Sequence, residues 1–190
     1  MNFSFTKSLK MKTKRIVQLA ASLSLAVLAQ GAHAVDGTIN FVGKVAPVPC
    51  TIPGTSQNMT VLLGTIKTSD LNGAVGKLSP PTPFTIQLIC DPSVAATKGA
   101  TATFQGPLDR DNKNALQVGA GQVTGSYAEG VAVVLADSAG TRINMEKESA
   151  VYRLNGGDNQ LSFKASYIST LASVKPGPAN ATAQFTINYK

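Results

Sequence analysis

The chain has 190 residues, of which 43% are hydrophobic and only 14% charged, and its 17 Lys and Arg against 10 Asp and Glu give a formal charge of +7. Five of the basic residues and none of the acidic ones fall within residues 1–34, so the remainder carries 12 basic against 10 acidic residues, or +2. That balance excludes a basic nucleic-acid groove. The only histidine, His33, also lies in that segment, which excludes histidine-based nucleophilic catalysis in the rest of the chain.

Residues 1–34 have the pattern of a secretory signal peptide. A basic stretch leads into an apolar run from Ile16 to Leu28, and Ala32-His33-Ala34 matches a small-residue cleavage site. The apolar run is shorter than the ~20 residues that span a bilayer. We therefore predict export, with Met1 or Met11 as the true start. Removal of the leader leaves 156 of the 190 residues, enough for one domain.

Beyond the leader, short runs in which apolar and polar residues alternate predict β-strands, and Gly, Pro, Asn and Asp separate them. In chain order the predicted strands are 38–45, 59–66, 84–90, 100–105, 131–136, 141–145, 161–169 and 181–189. Hairpin turns are predicted at 137–140 and 155–158. Since no stretch keeps a helical period, the sequence predicts an all-β sandwich.

Cys50 and Cys90 are the only cysteines. An exported chain meets an oxidising compartment, so we predict one disulfide, with two free thiols as the alternative. Closing a loop of this length stabilises a fold by about 4 kcal/mol in the chain-entropy model. Two cysteines do not complete a tetrahedral metal shell, so we predict no metal site and no cofactor.

Three local patterns look like functional sites but are rejected. Glu146 and Glu148 resemble a catalytic carboxylate pair, yet the charges around them favour a solvated edge. Residues 109–114 begin like a calcium loop but place Lys113 where an oxygen ligand is needed. Residues 119–125 lack the spacing and the following helix of a phosphate-binding loop. With no catalytic constellation left, we predict that the chain is not an enzyme.

Both ends of the mature chain are alternating strands with one apolar face. Near the start that face carries Ile39, Phe41, Gly43 and Val45, and at the end it carries Ala183, Phe185, Ile187 and Tyr189. An ordinary first strand with a bulge at Gly43 is the alternative interpretation of the first pattern.

Together these features resemble the pilins of the chaperone–usher pathway, in particular the major subunits of type 1-like fimbriae. The resemblance covers nearly all of residues 35–190 and rests on GTINFVGKV (37–45) before Cys50, VLLGTI (61–66), FTIQLIC (84–90) and PGPANATA (176–183). A glycine 14 positions from the C-terminus, Gly177, and a penultimate tyrosine, Tyr189, complete the family's end signature. Pro47 and Pro49 depart from the family pattern and shorten the predicted donor strand on its C-terminal side.

The resemblance implies an incomplete immunoglobulin-like sandwich of six strands, which a donor strand from a neighbouring subunit completes. It divides the chain into a signal peptide (1–34), a donor-strand extension (35–46) and a pilin domain (47–190). The donor residues it implies are Ile39, Phe41, Gly43 and Val45, and the C-terminal motif read by the assembly pathway is Gly177, Phe185, Ile187, Tyr189 and Lys190.

The partners implied are identical or related pilin subunits, a periplasmic chaperone and an outer-membrane usher, which would build an adhesive fimbria on the cell surface. The alternatives are a minor or adaptor subunit of the same fibre and a monomeric secreted β-sandwich binding domain.

Overall fold

The computed structural model describes residues 42, 49–93 and 98–190. The predicted leader, and nearly all of the extension with the predicted strand 38–45, lie outside the described residues. In chain order the elements are β1 (Cys50–Thr51), α1 (Gly54–Gln57), α2 (Thr68–Leu71), β2 (Thr82–Cys90), β3 (Gly99–Gln105), β4 (Leu116–Gln117), β5 (Val131–Asp137), β6 (Arg142–Ile143), β7 (Tyr152–Arg153), β8 (Gly157–Ser169) and β9 (Gln184–Tyr189). Neither helix in these ranges is long or apolar enough to cross a membrane.

The strands form two antiparallel sheets. The larger has the order β1-β2-β8-β5-β4, with β6 also paired to β5, and the smaller has the order β7-β3-β9. The longest ladder joins β2 to β8, from Thr82 opposite Ala165 to Cys90 opposite Gly157. The prediction of an all-β sandwich is confirmed.

Aromatic side chains join the two sheets at the centre of the core. Phe163 in β8 is almost completely buried, and its ring lies 5.5 Å from that of Phe84 in β2. From the smaller sheet, Phe104 and Tyr152 place their rings 5.1 and 5.4 Å from Phe163, both edge-on. Such edge-to-face pairs stabilise a core beyond the area that they bury.

The predicted disulfide between Cys50 and Cys90 is present. The two cysteines are directly opposite each other in β1 and β2, and the side-chain amide of Asn159 donates to the sulfur of Cys90 at 3.3 Å. Since β1 has only two residues, the covalent bond holds a strand that two ladder pairs alone would hold weakly.

The prediction of a strand at 59–66 is wrong. The side chains of Met59, Val61 and Leu63 still alternate, half-buried, with the exposed Thr60 and Leu62, but the segment has no ladder partner among the described residues. A period of two reports which face is apolar, whereas a strand also needs a neighbour to pair with.

The ends of other predicted strands also differ from the structure, and the largest difference is at β8, which begins at Gly157, inside the predicted turn at 155–158, instead of at residue 161. β9 begins at Gln184 instead of residue 181, and β6 keeps only Arg142–Ile143 of the predicted 141–145. Conversely, β1, β4 and β7 were not predicted because two residues are too few to show a period. The predicted turn at 137–140 is present, and Gly140 adopts a φ of 92° there.

Candidate strand-binding groove

An apolar cavity of about 740 Å³ opens between the two sheets. Its walls are two segments that belong to neither sheet, residues 59–64 and 179–183, and the second continues into β9 at Phe185. We call this cavity the groove. Side chains from five strands form its floor. They are Phe84, Ile86, Phe104, Leu116, Val133, Leu135, Ala165 and Tyr167.

In the first wall, residues 59–64, the main-chain groups have no hydrogen-bond partner among the described residues. No hydrogen bond joins the main chain of residues 59–66 to any other described residue. Met59 and Leu63 nevertheless pack against the core, so side chains alone hold the segment in place. Its N–H and C=O groups are therefore available to pair with a further strand.

The second wall leads into the free edge of the smaller sheet. In the ladder with β3, the amide of Lys190 donates to the Gly99 carbonyl at 2.8 Å, and Tyr189 lies opposite Ala100. Alternate residues of an antiparallel strand direct their main-chain groups to opposite sides. The even-numbered residues of β9 therefore face β3, whereas Phe185, Ile187 and Tyr189 present their amides and carbonyls to the open edge.

Tyr167 lies between the groove, which we also call the main cavity, and a second cavity, and these two cavities are the compartments of the binding site. Its ring lines the main cavity and also a second cavity of about 350 Å³, and its hydroxyl donates to the Ala179 carbonyl at 2.9 Å. Burial raises the pKa of Tyr167, so the hydroxyl remains a donor at neutral pH. The apolar residues that line the second cavity include Ile66, Leu71, Ala128, Val131 and Val174. We call the place where the Tyr167 hydroxyl reaches the Ala179 carbonyl the shallow point, with one cavity on either side of it.

Gly177 is required where the second wall meets another main-chain segment. A Cβ atom on Gly177 would lie 2.5 Å from the Tyr127 carbonyl carbon and 2.6 Å from the Ala128 nitrogen. The Ala128 amide donates to the Pro178 carbonyl at 2.9 Å, so the two segments cannot separate without losing a hydrogen bond. The glycine predicted from the sequence as part of an end signature therefore has a packing role of its own.

Substituting Gly177→Ala is expected to lower the free energy of unfolding by roughly 1–3 kcal/mol, because the added methyl group overlaps main-chain atoms. Gly54→Ala is the matched control, since a Cβ atom there has nothing within 4 Å. Denaturant unfolding of both variants measures the difference. Equal stability of the two variants would show that the contact at Gly177 relaxes at no cost.

Of the predicted C-terminal residues, Phe185 alone lines the groove. Gly177 lines the second cavity, and Phe185, Ile187, Tyr189 and Lys190 follow in and just after β9. The predicted donor residues Ile39, Phe41, Gly43 and Val45 lie outside the described residues, so their role stays a prediction.

The rejected patterns have structural roles instead. Glu148 forms an ion pair with Lys190 at 2.7 Å, and the hydrogen bond from that ammonium lowers the pKa of Glu148. Glu146 sits in a turn with a φ of 62°, and one carboxylate oxygen of Asp109 accepts the amides of Asp111 and Asn112. Within the described ranges no group of three or more His, Cys, Asp and Glu residues is placed to hold a metal ion.

Sequence reasoning missed the groove floor and the role of Tyr167. The floor residues show the period of core strands, and nothing in that period distinguishes a covered core position from an open one.

Known proteins resemble this chain over most of its length. The family model described as "Fimbrial protein" matches residues 39–190. The chain is 35% identical to the probable major fimbrial subunit LpfA of Escherichia coli O157:H7, over 82% of this chain and 84% of the relative. It is 36% identical to the type-1 fimbrial protein A chain of Escherichia coli K12, over 96% of this chain and 100% of the relative.

Two solved structures extend the likeness to the fold. One is the antigen and type I fimbria protein of Burkholderia pseudomallei, with 39% identity, a TM-score of 0.56, and coverage of 80% of this chain and 97% of that one. The other is the P pilus rod subunit PapA, with 26% identity, a TM-score of 0.60, and coverage of 75% and 100%.

Proposed function

Since this chain belongs to the fimbrial protein family and is a structural subunit of a pilus, we propose that its subunits join by donor-strand exchange. The groove carries this proposal. The main-chain groups of residues 59–66 and of the outer edge of β9 have no partner within the described ranges, and an apolar floor lies between them. One added strand would pair with both walls and cover the floor, which is the β-strand mode of peptide binding.

The two compartments match the apolar face of the extension. In our proposal Gly43 of one subunit passes over the shallow point at Tyr167 of the next, because a residue without a side chain fits there. Neighbours on the same face of a strand lie roughly 7 Å away on either side. Phe41 and Ile39 would then enter the main cavity and Val45 the second one, with the strand antiparallel to residues 177–185.

The remaining steps of assembly follow from the same open groove. An exposed apolar cavity of this size favours aggregation, so we propose that a periplasmic chaperone fills it after residues 1–34 direct export and are removed. In this proposal the chaperone and an outer-membrane usher act on the motif formed by Gly177, Phe185, Ile187, Tyr189 and Lys190. The role of the chain is then structural and not catalytic, and the relatives described as major or rod subunits favour a place in the shaft of the fibre.

A synthetic peptide with the sequence of residues 36–45 tests the proposal. In excess over the mature chain, it is expected to bind one to one and to suppress polymerisation, measured by calorimetry and by electron microscopy. A control peptide with Ile39→Asp and Phe41→Asp is expected to bind at least about 100-fold more weakly, because burying two unpaired carboxylates costs several kcal/mol.

Polymerisation that is as fast with the wild-type peptide as without any peptide would overturn donor-strand exchange. Equal binding of the two peptides would overturn the assignment of Ile39 and Phe41 to the main cavity.

A further inference from the structure

The main chain at Cys50 marks the point where the domain begins after the extension. β1 is the edge strand of the larger sheet, and the Asp91 amide donates to the Pro49 carbonyl at 2.9 Å. Since residues 49 and 91 are a hydrogen-bonded pair, the next pair, Cys50 and Cys90, is not hydrogen-bonded. The Cys50 carbonyl therefore points away from β2, toward the open side of β1.

Tyr189 supplies the partner that this carbonyl lacks within its own sheet. Its hydroxyl donates to the Cys50 carbonyl at 3.3 Å. Tyr189 belongs to the smaller sheet and Cys50 to the larger, so the bond ties the two sheets together beside the first residue of β1. Burial raises the pKa of Tyr189, which keeps the hydroxyl protonated and able to donate.

The sequence just before Cys50 predicts a stiff connector. Pro47-Val48-Pro49 contains two prolines, each of which fixes its own φ near −65° and holds the preceding residue in an extended conformation. Proline-rich connectors act as semi-rigid spacers. A stiff connector keeps a fixed orientation relative to the domain only if the residue at its end is held in place. The stiffness of the joint between subunits therefore depends on how rigidly Cys50 is held.

We propose that Tyr189 is a positioning residue for the joint between subunits: by holding the Cys50 carbonyl, its hydroxyl stiffens the root of the extension that links one subunit to the next. This inference rests on the donor-strand joint proposed above. The proposed role belongs to the hydroxyl of Tyr189, whereas the ring packs against the core. The substitution Tyr189→Phe removes the hydroxyl alone.

Amide hydrogen exchange tests the anchor directly. The reporter is the amide of Asp91, because it donates to the residue next to Cys50. The groove is first filled with excess peptide of residues 36–45. In the Tyr189→Phe variant, this amide is expected to exchange about fivefold faster than in the wild-type chain, which is the effect of one lost hydrogen bond. Tyr152→Phe is the matched control: its hydroxyl donates to the Ser162 carbonyl at 2.6 Å and also joins the two sheets, but away from β1.

The stiffness of the fibres tests whether the Tyr189 hydroxyl stiffens the joint between subunits. In fibres grown from the wild-type chain with increasing fractions of Tyr189→Phe, the persistence length measured by electron microscopy is expected to fall at least twofold, and Tyr152→Phe is expected to leave it unchanged. Unchanged exchange at Asp91 would overturn the anchor, and faster exchange with unchanged persistence length would overturn its role in the joint. A wild-type chain that does not take up the peptide would overturn the proposed function itself, and this inference with it.

Discussion

A mature chain with a copy of residues 36–45 appended after Lys190 is expected to unfold at least about 10 °C above the unmodified chain. β9 continues from the second wall of the groove at Phe185 and ends at Tyr189, so a short flexible linker allows the added strand to turn back antiparallel along the outer edge of β9. Burying Ile39, Phe41 and Val45 is worth roughly 1.5–3 kcal/mol for each side chain. Covalent attachment also gives the strand a high effective concentration.

The same appended copy carrying Ile39→Asp and Phe41→Asp serves as the control, because it keeps the length and the linker but not the apolar face. Thermal unfolding and size-exclusion chromatography of the three chains measure stability and self-association. We expect aggregation of the unmodified and control chains and a monomer for the complemented one. A monomeric unmodified chain of equal stability would contradict donor-strand assembly and favour a self-sufficient binding domain.

The strands that the sequence predicts well are those with neighbours inside the chain. β2, β5 and β8 pair with one another, so their alternating faces and their ladders agree, and the predicted bounds differ from the observed ones by a few residues. Residues 59–66 show an equally clear alternation but lack a partner among the described residues. In the proposed function, a strand from a neighbouring subunit pairs with this segment, and the failed strand prediction marks that segment.

The groove itself could be predicted only in part. The apolar face of Phe185, Ile187 and Tyr189 follows from the alternation near the C-terminus, and Gly177 was identified by its place in a family signature. The floor could not be predicted, because residues as distant in sequence as Ile86 and Tyr167 meet there only after the sheets pack. The shallow point depends on one hydroxyl reaching the Ala179 carbonyl, and no sequence pattern reports a contact of that kind.

Gly43→Leu is expected to abolish polymerisation while leaving the fold of the domain unchanged. In the proposed register, position 43 of the incoming strand lies over Tyr167 at the shallow point, and a leucine would overlap the ring. Overpacking of this kind costs roughly 1–3 kcal/mol in a core that can adjust, and every joint of a fibre would bear the cost. Val42→Leu is the matched control, because residue 42 is on the opposite face of the strand and its side chain is 97% exposed.

Polymer yield after fixed times, measured by sedimentation and electron microscopy, distinguishes the variants, and circular dichroism checks the fold. Combining Gly43→Leu with Tyr167→Val is expected to restore part of the polymer yield, because the smaller residue opens the shallow point to the leucine. Such coupling between residues 43 and 167 would show that they meet across the joint, since substitutions at distant sites act independently. Normal fibres from Gly43→Leu alone would place the glycine elsewhere and contradict the register.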